Sequence, residues 1–423
     1  MILKVLYQGK LVGILSDADG NIAFQYDKKW IESGFSISPK KLPLNNRVFS
    51  FSELKNKDAF LGLPGIFADS VPDKWGNAII KAHMSEQGIT NATQLQKLAY
   101  IGQGGMGALT YEPTAGKQKD VKLPLELVRL VKEARRIASG KVNGNINEII
   151  SVGSSAGGAR AKAVIAWNKE TNEIKPGNAL APEGFEHWII KFEGVEAKNS
   201  KEWPKCEEAF FSMAKDAGIN VPEFTTIKDK SGLTHFLIKR FDRRDNERIL
   251  THTFSGMLHN DFNDQRSLDY SVLLNTTREL SKDQKQVDEA FRRCVFNVLT
   301  RNQDDHSKNF SFLYNGKSWD LAPAYDLNYS ISGWCSEHQM TIAGASLGIK
   351  RSDLLKLANQ SKVLNPNKII DQVVNVVKNR KKYFTKAKLS SDFIKKNKLN
   401  EKFQEALYLV NTKKSKIKKN KSA

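Results

Sequence analysis

The sequence predicts an α+β fold, β-rich in its N-terminal parts and helical toward its C-terminus. Three observations carry this. Short apolar or alternating runs recur at 3–7, 11–15, 22–26, 163–167, 187–193 and 235–241, each of strand length. Val287, Ala290, Phe291, Cys294, Val295, Val298 and Leu299 recur at helical spacing and make one apolar face. Phe310, Phe312 and Tyr314 then alternate with Ser311 and Leu313 before Asn315-Gly316, a hairpin signal leading into Ser318–Leu321. At 423 residues the chain is long enough for two or three domains.

The first hundred residues form one unit. Gln8-Gly9-Lys10 separates two strand fragments, and Asp17-Ala18-Asp19-Gly20-Asn21 is a turn before a third. A helical, mixed-charge segment follows at 123–139. The stretch Ser154-Ser155-Ala156-Gly157-Gly158-Ala159-Arg160-Ala161-Lys162 can be a plain flexible loop. It can also be a phosphate cradle, because glycines let backbone N–H groups approach an anion. In His187–Glu193, period-two alternation puts Lys191 on the face of Ile189, opposite Trp188, Ile190 and Phe192. A lysine in so apolar a strand needs an anion, unless the strand is an edge and the side chain reaches water. The next helix, 207–217, ends at Gly218 and buries Phe210, Phe211, Ala214 and Ala217. Glu207 shares that face, whereas Glu208 lies about 100° away. The strand at 235–241 runs into a charged corner, where the backbone of Lys239, Arg240 and Phe241 is the candidate for holding a purine base. Phe241 as ordinary core is the alternative. His252 and the 255–262 stretch are assigned to packing of the helical part, with no metal.

The helix at 287–299 should end near Asn302 and deliver Asn302-Gln303-Asp304-Asp305-His306-Ser307-Lys308-Asn309, with Asp326 a short way downstream. Asp304 and Asn309 have the Asp-x-x-x-x-Asn spacing of a kinase catalytic loop. Phosphoryl transfer needs one carboxylate to take the proton of the attacking hydroxyl. It also needs an amide oxygen and a second carboxylate for Mg²⁺, a hard cation. The competing reading of so short a motif is a polar turn with a buried aspartate.

Composition bounds the rest. The formal net charge is +20, and residues 350–423 hold 21 Lys and Arg against 5 Asp and Glu, so +16 of it sits there. The end, from Lys413 to Lys421, contains no acid. It reads as a solvated tail or as a surface for a polyanion. Lys4, Gln8 and Lys10 interrupt the N-terminal apolar run, so no signal peptide and no membrane span are expected. Cys206, Cys294 and Cys335 are far apart, which predicts neither a zinc site nor a disulfide framework and fits a reducing cytoplasm.

At the loop the chain resembles the HipA family of bacterial serine/threonine kinases, toxins of toxin–antitoxin pairs. The Asn-x-Asp-x-His-x-Lys-Asn block stands at 302–309 and the Pro-x-Tyr-Asp block at Pro323–Asp326. Ser155, Gly158 and Lys162 resemble the family's phosphate loop, and 237–243 its hinge. Asp69-Ser70-Val71-Pro72-Asp73-Lys74-Trp75-Gly76 and the glycine-rich 102–109 resemble its N-terminal region and are read as packing and turns. The resemblance implies a two-lobed, kinase-like α+β fold with a helical C-terminal lobe. It implies Asp304 as catalytic base and Asn309 and Asp326 as Mg²⁺ ligands; His306 belongs to the same motif and is read from the residues as orienting the loop by hydrogen bonding rather than moving a proton. ATP would be held by Ser155, Gly157, Gly158, Lys162, Lys191, Glu207, Lys239, Arg240 and Phe241. Autophosphorylation would fall on Ser155, with Ser154 and Ser151 as neighbours. It further implies a helix-turn-helix antitoxin, contact with DNA through that antitoxin, and a protein substrate in translation such as an aminoacyl-tRNA synthetase. The implied domains are 1–112 (HipA N-terminal), 113–245 (linker helix and nucleotide-binding lobe), 246–390 (helical catalytic lobe) and 391–423 (basic tail). Two other readings use the same residues: a DNA-associated co-repressor without catalysis, and a kinase of small molecules or lipids.

Overall fold

A computed structural model of the chain describes residues 1–18, 20–115, 125–140, 160–177, 180–195, 201–330 and 335–411. They divide into two compact units. The first comprises 1–208, 222–264 and 307–325; the second comprises 209–221, 265–306 and 326–423.

The first unit holds two five-stranded antiparallel sheets. One has the order Val48–Ser50, Asn21–Tyr26, Lys10–Ala18, Ile2–Tyr7, Leu109–Glu112. Its strands alternate in the way the sequence predicts: Leu3, Val5, Val12, Leu15, Phe24 and Tyr111 are fully buried. The turn at 17–21 is tighter than expected, because pairing continues to Ala18–Asn21, and Asp17 Oδ1 accepts the Gly20 N–H at 3.0 Å. The other sheet has the order Ile174–Pro176, Lys162–Trp167, Glu186–Lys191, Thr234–Lys239, Phe224–Lys228. Trp75, Ile79 and Ala82 of the helix Lys74–Glu86 share its core. So do Leu130, Val131, Ala134 and Ile137 of the helix Leu127–Ala138, the mixed-charge segment of the sequence.

A third, small sheet pairs Thr251–Thr253 with Ser311–Tyr314 and then Trp319–Leu321, the expected hairpin, turned by Gly316 at φ 95°. His252 and the helix Phe254–Leu258 therefore belong to the first unit, and their assignment to the helical part is corrected. The reason is the Asp69 carboxylate. It accepts from His252 Nδ1 at 2.7 Å, from the Thr253 N–H at 2.8 Å and from Thr253 Oγ1 at 2.7 Å. Gly65 and Gly256 lie backbone to backbone, with no room for a Cβ at Gly65.

The second unit is helical. Every apolar residue of the 287–299 face is buried in the helix Gln284–Thr300. Its N-terminus is capped by Asp283 and its C-terminus by Arg301 in the left-handed region, φ 55°. Beside it runs Tyr270–Ser281, and five helices follow between Arg351 and Asn411. The last two, Ser391–Lys396 and Leu399–Asn411, occupy the start of the stretch read as tail. Leu399, Phe403, Ala406, Leu407 and Val410 recur at helical spacing and are buried, so the fold continues to Asn411. Residues 412–423 lie outside the described part.

Candidate active site

The first unit presents cations on its second sheet. Lys162 and Lys191 are cross-strand partners in the antiparallel register, so their side chains leave the same face of one rung. Lys162 is buried, and its backbone carbonyl accepts from Trp75 Nε1 at 2.8 Å. The Lys191 ammonium forms an ion pair with Glu207, a carboxylate only 3% exposed on the helix Trp203–Asp216. Glu208 turns elsewhere and accepts from Thr226 Oγ1 at 3.4 Å. Two lysines thus share one rung, one of them paired with Glu207.

At the corner after Thr234–Lys239, backbone donors are already used. The Lys239 N–H donates to Glu223 O at 2.8 Å and the Arg240 N–H to His187 O at 2.9 Å. The Lys239 ammonium pairs with Glu186 in a half-exposed network that includes Lys169 and Glu223. The Arg240 guanidinium is fully buried and bidentate to Asp242, Nε to Oδ1 at 2.9 Å and Nη2 to Oδ2 at 2.8 Å. Burial opposes ionisation of Asp242, but Arg240 and Arg243, with the Gly107 N–H, overcome it and hold the carboxyl well below the usual range. Arg243 also donates to the carbonyls of Gly105 and Gly107, which ties the glycine-rich 102–109 segment to this corner. Phe241 is half-buried, 5.5 Å from the ring of Tyr325. Asn309 closes the short turn Ser307–Asn309 in the same unit. That turn is braced by Ser307 Oγ to Asn260 Oδ1 at 2.9 Å, by Tyr325 OH to Lys308 O at 2.7 Å, and by an ion pair of Lys308 with Asp73.

The second unit presents carboxylates. Asp304 is half-buried, its N–H donates to Ser330 Oγ at 2.9 Å, and Cys335 Sγ donates to its Oδ1 at 3.5 Å. Burial raises its pKa. His306 and Cys335 pull it down, Asp326 and Asp305 push it up, and the balance stays above the ordinary value. His306 Nε2 is 3.7 Å from Asp304 Oδ1, beyond hydrogen-bonding range but close enough to act as a charge. Asp326 sits at φ +51°, an uncommon conformation for a residue with a Cβ, of the kind that clusters at functional positions. Asp305 points the other way and is buried.

Ser151, Ser154, Ser155, Gly157 and Gly158 lie outside the described residues. Sequence reasoning passed over Asp73, Asp242, Asp305 and Cys335. For Asp73 a signal was present, since a second acid four residues after Asp69 exceeds what a turn requires. For Cys335 there was none.

A kinase-type fold, with a lysine–glutamate pair on sheet and helix and a carboxylate loop after a buried helix, defines the class. Residues 3–112 match the model of the HipA N-terminal domain, and residues 154–381, more than half the chain, match that of the HipA-like C-terminal domain. The chain belongs to the HipA family. It is 24% identical over 345 residues to "Putative kinase Y4dM" of Sinorhizobium fredii, covering 77% of this chain and 76% of that protein. Its fold is that of HipA from Shewanella oneidensis MR-1, solved in a toxin–antitoxin complex with HipB and operator DNA. That match has a TM-score of 0.68 and 16% identity over 96% of each chain. Among the described residues no helix is long and apolar enough to cross a membrane.

Proposed function

We propose that this HipA-family kinase is ATP- and Mg²⁺-dependent, transfers the γ-phosphate to serine or threonine of a protein, and acts as the toxin of a toxin–antitoxin pair. The observation that carries the reading is the Lys191–Glu207 ion pair beside Lys162. It fixes an ammonium where nucleotide phosphates would bind, the arrangement of a kinase strand lysine and helix glutamate. Lys162 and the 154–158 loop supply the rest of the phosphate contacts. With the Lys239 and Arg240 amides engaged in the sheet, the purine is left the carbonyls of the corner and the Phe241 backbone, with its ring as an apolar wall. The Arg240 side chain holds the corner rather than the ligand.

Asn309 and Asp326 offer an amide and a carboxylate oxygen, a donor set that fits Mg²⁺, and the strained Asp326 backbone suits a ligand held in place. Bound there, the ion would neutralise phosphate charge. Asp304 accepts the proton of the attacking hydroxyl, and His306 biases it toward the ionised form by charge. Ser155, or Ser154, is the proposed autophosphorylation site. A phosphate there, about −1.5 to −2 charges, would compete with ATP for Lys162 and so inhibit. A helix-turn-helix antitoxin is the proposed partner, DNA contact runs through it, and the substrate belongs to the translation machinery. We place the protein in the cytoplasm.

Incubation with γ-labelled ATP and Mg²⁺ tests this. Label should appear on phosphoserine or phosphothreonine, vanish with EDTA, and map by mass spectrometry to residues 151–162. A folded protein that binds antitoxin and operator but never transfers label would instead be a co-repressor, and label found only on small molecules would overturn the protein-kinase reading.

A further inference from the structure

Three successive residues of the catalytic loop are bonded to one later segment. Gln303 Nε2 donates to Ser336 O at 2.9 Å. Asp304 Oδ1 accepts from Cys335 Sγ at 3.5 Å. Asp305 accepts twice, from His338 Nδ1 at 2.7 Å on Oδ2 and from the Gln339 N–H at 2.8 Å on Oδ1. The Asp305 carboxylate also accepts from Tyr270 OH at 2.8 Å, and that hydroxyl accepts from Asn297 Nδ2 at 3.0 Å. Asn302 Nδ2 closes the circuit by donating to Asn297 Oδ1 at 3.0 Å. All these residues lie in the second unit.

A carboxylate 1% exposed persists only where donors replace water, and Asp305 has three. Asp304 and Asp305 are adjacent in the chain, the first half-buried and the second buried, so what pins the Asp305 side chain inward also bears on where its neighbour can point. Within this ladder Asp304 takes part through a thiol, a weak donor, whereas Asp305 takes part through a phenol, an imidazole and an amide. The stiffness of the ladder therefore comes largely from Asp305. From this we infer that Asp305 is the positioning residue of phosphoryl transfer: held by Tyr270, His338 and the Gln339 amide, it locks residues 335–339 onto the loop and fixes the direction of Asp304.

The inference rests on Asp304 being the base, but the ladder can be read without turnover. Cys335 is part of it, whereas Cys206 is buried on the helix Trp203–Asp216 and serves as the internal control; the Cys294 thiol feels the Asp305 charge and is not used as one. In Asp305→Asn and His338→Ala, brief iodoacetamide labelling followed by peptide mass spectrometry should show Cys335 modified at least tenfold faster, with Cys206 unchanged. Equal acceleration of Cys335 and Cys206 would mean general unfolding, and no acceleration of Cys335 would mean no ladder; either overturns the proposal. In turnover, both variants should lose about 10²-fold in kcat, the scale of a misplaced reacting group, with KM for ATP unchanged. His338→Asn keeps a donor near the Nδ1 position and should restore most of it. Loss of KM rather than kcat, or failure of Asn to rescue where Cys335 is again protected, would reduce Asp305 to a structural part. If wild-type protein transfers no phosphate while the labelling pattern holds, the kinase reading fails and the positioning of Asp304 has no reaction to serve, which also overturns the proposal.

Discussion

The two five-stranded sheets of the first unit have the same size and the same antiparallel pairing, yet only one carries buried charge. The N-terminal sheet, from Ile2 to Glu112, buries Leu3, Val5, Leu15, Phe24 and Tyr111, and none of its strands buries a charged side chain. The second buries Lys162 on its strands, with Glu193, Glu207 and Asp229 close by in sequence or contact; His187 and His235 are buried there too, but burial lowers their pKa and disfavours the charged form. Burying a charge costs several kcal/mol before its partners return any of it. A sheet whose only task is to hold a fold has no reason to bear that cost. On the proposed function the difference separates a scaffold from a nucleotide-binding surface, and substitutions can break it.

The largest effect is expected away from both sheets, at the proposed base. Asp304→Asn removes the proposed proton acceptor and should lower phosphoryl transfer by about 10²–10⁴-fold while Mg-ATP still binds. Rapid-quench kinetics beside nucleotide titration read the two separately. Wild-type transfer by this variant would remove Asp304 from the mechanism.

Next comes a direct contrast between the sheets. Lys191→Met strands Glu207 and should cost ~3–5 kcal/mol. Leu3→Ala opens a cavity in the N-terminal sheet and should cost ~2–5 kcal/mol. The stability losses are similar. Turnover per folded molecule should collapse for Lys191→Met and stay at wild type for Leu3→Ala. Adding Glu207→Met to Lys191→Met should recover stability without turnover. If it recovers both, the buried pair is only structural and the contrast fails.

How much of this was legible follows from the range of the interactions. Lys191 and Glu207 could be paired from the sequence because strand and helix periodicities each fix a face, and the two lie 16 residues apart. The 287–299 face, the hairpin and the end of the helix near Asn302 are local patterns of the same kind. Asp305 was not legible. Two adjacent aspartates look alike, and what turns one inward is a tyrosine 35 residues before and a histidine 33 residues after. Asp69 with His252 spans 183 residues, and nothing near either one announces the other. Arg240 and Asp242 sit between these cases. Alternation puts them on one face, but only burial shows that the guanidinium is consumed there.

A smaller effect concerns pH. The Asp304 pKa lies above the ordinary value because burial, with Asp326 and Asp305, outweighs His306 and Cys335. As a base it works only ionised, so the acid limb of kcat should fall at a higher pH than an ordinary aspartate gives. A raised carboxyl favours the folded state where it is protonated, and that contribution is lost as pH rises through the folded pKa. Asp304→Asn should therefore be at least as stable as wild type at pH 7, and the difference should close below the ordinary aspartate pKa of about 3.9. Melting curves at the two pH values decide it. A variant less stable than wild type at pH 7 would show that the carboxylate is held by attraction rather than strained by burial.

The smallest effect is expected at the basic end, whose charge, unlike that of the second sheet, costs nothing to keep in water. On the described helices and the turns between them Lys378, Lys381, Lys382, Lys386, Lys388, Lys395, Lys396 and Lys398 are all exposed, with Asp392 the exposed acid among them. Deleting residues 412–423 removes six further lysines that have no apolar pattern to pack into a core. Stability and phosphoryl transfer should be unchanged. Affinity for DNA or tRNA should fall, and the slope of log K against log salt on duplex DNA should flatten by about 0.9 for each phosphate no longer neutralised. Titrations of full-length and truncated protein at two salt concentrations measure this. Identical curves would make the end a solvated tail. A loss of turnover would carry the opposite lesson, because charge in water would then be doing what only the buried lysines of the second sheet are expected to do.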